Sequence, residues 1–120
     1  MNKDHLEKGQ EAETKAAQFL QHQGLQLIER NFRCKLGEID LIMQDQSTLV
    51  FVEVRLRSNR FFTQAAESVN WQKQRKLINA AQFYLQQHKL VDAVPCRFDV
   101  IAIENNAINP SNWIKNAFGA

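Results

Sequence analysis

The chain has 120 residues, with 15 Lys and Arg against 13 Asp and Glu, so its bulk charge neither demands nor excludes a polyanionic partner. Such a length closes one hydrophobic core, and a single domain over 1–120 is expected. Cys34 and Cys96 are solitary and His5, His22 and His88 are scattered, which argues against a zinc site or a histidine-centred catalyst. A polar N-terminus and the lack of any apolar run near ~20 residues argue against a secretory signal or a membrane span. A soluble protein of the reducing cytoplasm is expected.

Residues 4–22 are predicted helical. Asp4 and Glu7 have capping-box spacing, and Gly24 stands where a helix ends in the left-handed conformation. Leu6, Ala16, Ala17 and Leu20 form the apolar stripe, and Glu13 falls on it. An acid on a buried face sets local pattern against packing, a conflict that marks functional positions; otherwise Glu13 sits at the stripe's edge and reaches water.

Residues 25–32 read as a first strand, and 37–43 and 49–57 as a hairpin across the polar turn Gln44-Asp45-Gln46-Ser47-Thr48. Alternate residues of a strand share a face, so Glu38 and Asp40 should point one way and Ile39, Leu41 and Met43 the other. By the same count Glu53 and Arg55 share a face opposite Val52, Val54 and Leu56. If Gln44 faces Leu49, then Asp40 lies opposite Glu53 and Glu38 opposite Arg55. Carboxylates gathered on one patch of sheet repel unless a cation sits among them, which makes a divalent-metal site the leading expectation.

From Arg55 to Lys76 the chain carries Arg55, Arg57, Arg60, Lys73, Arg75 and Lys76 against the acid Glu67, with Phe61, Phe62 and Trp71 interleaved. This suits a nucleic-acid partner, or else a solvated helix face. A second helix is expected from Trp71 to His88, with Leu77, Ala80, Ala81, Tyr84 and Leu85 at helical spacing. Lys73, Arg75 and Lys76 in its first turns oppose the helix dipole unless an anion docks there. Residues 97–103 form a fourth strand, parallel to the third because a helix intervenes, with Asp99 paired to a nearby Arg or Lys. Asn109-Pro110-Ser111-Asn112-Trp113 suggests a turn into a short terminal helix anchored by Trp113 and Phe118.

Helix, three-strand meander, helix, strand, with Glu13 on the first helix, Asp40 on the second strand and Glu53-x-Arg55 on the third, resembles the restriction-endonuclease-like nucleases. These carry the PD-(D/E)XK motif and include archaeal Holliday-junction resolvases. More closely, the chain resembles the YraN family of small bacterial proteins, through Gly9-x3-Glu13, Asn31-Phe32-Arg33, Gly37-Glu38-Ile39-Asp40-Leu41-Ile42, Phe51-Val52-Glu53-Val54-Arg55, Val69-x3-Lys73 and Arg97-Phe98-Asp99-Val100. The resemblance implies an α/β fold with an αβββαβ core, a mixed sheet flanked by helices.

It also implies that Asp40 and Glu53 bind a metal, Mg²⁺ or Mn²⁺, with Glu13 reaching it directly or through water and Glu38 beside them without a fixed role. Arg55 stands where the motif has Lys, and Arg stays protonated, so it can hold phosphate charge but not act as a base. Arg57, Arg60, Lys73, Arg75 and Lys76 would track a nucleic-acid backbone, DNA first of all. The expected activity is metal-dependent phosphodiester cleavage selective for branched or junction DNA, for which a homodimer would supply two sites. Two other classes stay open: a nucleic-acid-binding protein that keeps the fold without turnover, and a structural partner whose acids are satisfied by Arg55 and Arg57.

Overall fold

The computed structural model describes residues 2–57, 69–104, 108 and 112–119, with the side chains of residues 2–8 and 57 left out. The elements run α1 (Asn2–His22), β1 (Gln26–Cys34), β2 (Gly37–Asp45), β3 (Thr48–Arg57), α2 (Trp71–Gln87), β4 (Cys96–Glu104) and β5 (Trp113–Phe118). They build one five-stranded mixed sheet in the order β1-β2-β3-β4-β5. The pairs β1–β2 and β2–β3 are antiparallel, β3 and β4 across the α2 crossover are parallel, and β4–β5 is antiparallel. This is the α/β architecture the residue pattern predicts, extended by one strand.

Helix α1 ends as expected: Gly24 takes φ 99, and the Leu25 N–H donates back to Leu20 O at 3.0 Å. Its N-terminus lies further back than expected, at Asn2, which puts Asp4 inside the helix; the Asp4–Glu7 cap and Leu6 lie outside the described side chains. Helix α2 starts at Asn70, whose Oδ1 accepts the Lys73 N–H at 2.8 Å.

Each helix covers one face of the sheet. Ala12, Ala16, Ala17 and Leu20 of α1 pack on Leu41, Met43, Val50, Val52, Ile101 and Ile103. On the other face Leu77, Ile78, Ala80, Ala81 and Tyr84 of α2 pack on Ile39, Ile42, Phe51, Phe98 and Val100. Full burial of the Leu, Ile, Val, Met and Phe side chains among these stabilises by about 1.5–3 kcal/mol each.

Two expectations are corrected. Ile39 does not share a face with Leu41 and Met43: it joins the α2 side while they join the α1 side. The alternation breaks at Asp40, across from a stretch of β1 where Asn31 takes φ 55 between the pairs Arg30↔Leu41 and Phe32↔Ile39. The chain's last element is also a strand, β5, instead of a helix. Asp99, fully buried on β4, accepts Trp113 Nε1–H at 3.0 Å and the Asn116 N–H at 2.9 Å, while the Phe98 and Phe118 rings stack at 5.1 Å. These contacts draw the segment flat against β4; residues 109–111 lie outside the described ones.

Candidate functional site

The hairpin register is the expected one where it is paired, with Gln44 facing Leu49, but β2 and β3 pair only as far as Leu41↔Val52. Beyond that point β2 continues along β1 to Gly37↔Cys34, and β3 continues along β4 to Arg57↔Glu104. The sheet therefore forks. Asp40 sits in the fork, where its Oδ2 accepts the Val54 N–H at 2.8 Å in place of a strand partner. The same fork separates Glu38 from its expected partner Arg55. Glu38 lies opposite Arg33, whose Nε is 3.3 Å from Glu38 Oε2, and Arg55 lies opposite Ala102.

Into this fork α1 delivers Glu13. Carboxylate oxygens of Glu13, Glu38 and Asp40 lie within 4.8 Å of one another. A hard cation with oxygen ligands at ~2.0–2.6 Å draws donors together over such a span. Glu13 is 14% exposed, and its Oε1 is buried without a hydrogen-bond donor, the Arg30 guanidinium standing 3.7 Å away. Burial pushes the Glu13 pKa up, partly offset by Asn31 and Arg30.

Asp40 is shifted much further. Burial, and then the charge of Glu53 beside it, raise its pKa to about 8, while the Val54 N–H pulls the other way. Asp40 therefore keeps its proton at neutral pH. With a buried Glu13 oxygen that lacks a donor and a protonated Asp40 beside it, the donor set Glu13, Glu38 and Asp40 fits a divalent cation.

The chain also has known relatives. A profile of the Uncharacterised protein family UPF0102 matches residues 12–103, a span that holds Glu13, Glu38, Asp40, Glu53 and Lys73 but stops short of β5. The chain belongs to that family. It is 57% identical over 112 residues to a UPF0102 protein of Pseudomonas savastanoi pv. phaseolicola, covering 92% of this chain and 91% of the relative. It is 55% identical to a UPF0102 protein of Janthinobacterium sp. (strain Marseille), covering 93% and 87%. To a UPF0102 protein of Pseudomonas fluorescens it is 47% identical, covering 98% and 97%. UPF0102 is the YraN family that the sequence motifs resemble.

In this UPF0102 member Glu53 stands slightly apart from the three gathered acids. It is 3% exposed on the α2 face, and its Oε2 meets two cations, Lys73 Nζ at 2.8 Å and Arg55 NH1 at 3.4 Å. Lys73 comes from α2, which lies close against β2 because Gly37 has no side chain: a Cβ there would meet Lys76 O at 2.8 Å. Between α2 and the fork opens a cleft of about 650 Å³, lined by Glu38, Asp40, Glu53, Asn70, Lys73 and Lys76 among others.

Of the expected backbone-tracking residues, Lys73 and Lys76 line this cleft. Arg75 instead turns to the outer side of α2, 5.9 Å over the exposed Trp71 ring. Arg60 and the side chain of Arg57 lie outside the described residues. At the α2 start Asn70 already takes the Lys73 N–H, so that donor is not open to an anion.

Sequence reasoning left Glu38 without a role and did not link Lys73 to Glu53. The available signals were the shared parity of Glu38 and Asp40, and Gly37 as the position that lets a helix approach that strand.

Proposed function

We propose that this protein is a metal-dependent endonuclease of DNA, selective for branched or junction structures. The observation that carries the reading is the meeting of Glu13, Glu38 and Asp40 in the fork of the sheet, with a buried Glu13 oxygen that lacks a donor. Glu13, Glu38 and Asp40 would hold Mg²⁺ or Mn²⁺, with Glu53 behind them. Bound there, the ion would neutralise phosphoryl charge and lower the pKa of its water.

The chain's own residues do the rest. Asp40 would have to release its proton to hold the ion, so metal uptake should strengthen with pH. Arg55 shares a face with Glu53 and holds its carboxylate, NH1 standing 3.4 Å from Oε2. Lys76 on the cleft wall offers the backbone a cation. Among the described lining residues the side-chain amides are Gln72 and Asn70, the latter already engaged by the Lys73 N–H, so charged groups dominate and the cleft fits recognition of shape over recognition of sequence.

The test is a panel of linear duplex, flap, four-way-junction and single-stranded DNA, with RNA alongside, incubated with Mg²⁺ or Mn²⁺. The expected result is cleavage of the branched DNAs that stops in Asp40→Asn and Glu53→Gln. Binding by the wild type without cleavage of any substrate refutes turnover and leaves a nucleic-acid-binding protein on a nuclease fold.

A further inference from the structure

The strand motif lacks its lysine, since Arg55 occupies that position, yet an ammonium still reaches the Glu53 carboxylate. Lys73 Nζ lies 2.8 Å from Glu53 Oε2, the same oxygen that Arg55 NH1 approaches to 3.4 Å. We infer that Lys73, projecting from α2 over the fork, is the catalytic cation of this site: it donates to a non-bridging oxygen of the phosphate being cut, while Arg55 holds Glu53 from below. The inference rests on the nuclease reading and names the residue that completes its site.

Three observations point to Lys73 over Arg55. Lys73 lines the cleft together with Asp40 and Glu53, whereas Arg55 is not among its described lining residues. Its backbone is anchored, the N–H bonded to Asn70 Oδ1 at 2.8 Å, so the side chain leaves from a fixed root. Its helix is seated against β2 through Gly37 and the Lys76 carbonyl, which sets the height of the ammonium above the acids.

Lys73 is also half-exposed, at 46%, while Glu53 is buried, so the ammonium can face both the acid beneath it and a phosphate entering from solvent. A compact ammonium suits that double contact, since its three donors can divide between two oxygens. A guanidinium carries its donors in a rigid plane one atom farther from the same root, so it does not set both contacts at the ammonium's distances. No proton leaves Lys73 in this role.

The experiment compares the wild type with Lys73→Arg, Lys73→Met and the double variant Lys73→Arg/Arg55→Lys. Single-turnover cleavage is measured with Mg²⁺, DNA affinity with Ca²⁺ in place of Mg²⁺, and folding by thermal melting. Lys73→Met leaves buried Glu53 short of a cation and can fail to fold, so Lys73→Arg, which keeps the charge, carries the test. Lys73→Arg should melt and bind DNA within about threefold of wild type, yet cleave about a hundredfold more slowly, as expected for loss of one preorganised donor to transition-state charge. The double variant, whose ammonium leaves from the strand and not from the cleft wall, should stay within about threefold of Lys73→Arg.

Cleavage by Lys73→Arg within about threefold of wild type, or a double variant about tenfold or more faster than Lys73→Arg, overturns the inference while the nuclease reading stands. A wild type that binds but cuts nothing overturns both.

Discussion

Replacing Asp40 with Asn should flatten a pH dependence that the metal-free wild type carries. The Asp40 pKa is about 8 in the folded protein against 3.8 for an ordinary Asp, because burial and Glu53 disfavour its charge. Between those values the folded state keeps a proton that the unfolded state has lost, so stability falls as pH rises. Each pH unit in this window is worth ~1.4 kcal/mol, which makes the fall from pH 5 to pH 7 about 2.5 kcal/mol, or roughly 10 °C in Tm at this chain length.

Asn mimics the protonated acid. Its amide can donate to Glu53 while its oxygen keeps the Val54 N–H, so Asp40→Asn should lose this dependence without losing the fold. The assay is urea unfolding in EDTA at pH 5, 6, 7 and 8 for both proteins. The stability difference should widen with pH in favour of Asp40→Asn. Millimolar Mg²⁺ should then narrow it by stabilising only the wild type, the more so at higher pH. A difference that stays constant from pH 5 to 8 would refute a proton held on Asp40.

Other consequences can be measured independently. Glu13→Gln should raise the metal-free melting temperature slightly, by removing a buried charge, and abolish the Mn²⁺-induced stabilisation expected of the wild type, which should reach ~2.7 kcal/mol at a hundredfold excess over Kd. Gly37→Ala should cost about 1–3 kcal/mol in urea unfolding, because its Cβ would press on the Lys76 carbonyl and push α2 away from β2. Asp99→Ala should cost about 3 kcal/mol, since it strips Arg97, Trp113 and Asn116 of one shared partner; a loss under ~1 kcal/mol would contradict its part in holding β5. Lys76→Met should weaken DNA binding alike for every sequence and lower the salt slope by about 0.9, whereas an unchanged slope would make Lys76 a solvated residue only.

Local chemistry alone made most of this fold readable. Helical spacing in α1 and α2, Gly24 as a terminator, and strand alternation around a short polar turn each act within a few residues, so pattern reading recovered two helices, the hairpin and β4. The family was legible too, because GEIDLI and FVEVR put acids where strands ordinarily carry neutral side chains. What tertiary structure alone decided came from contacts between distant parts of the chain. The terminal strand β5 exists because a carboxylate on β4 captures Trp113 and Asn116, and spacing within residues 113–118 does not carry that information. The break in alternation at Asp40 depends on Asn31 in the neighbouring strand, which turns a smooth face into a fork. Glu38 joins Glu13 and Asp40, and Lys73 reaches Glu53, only because a helix from each side closes on that fork. Periodicity tells a residue which way to point from its own element; which groups it meets is set by how the elements pack.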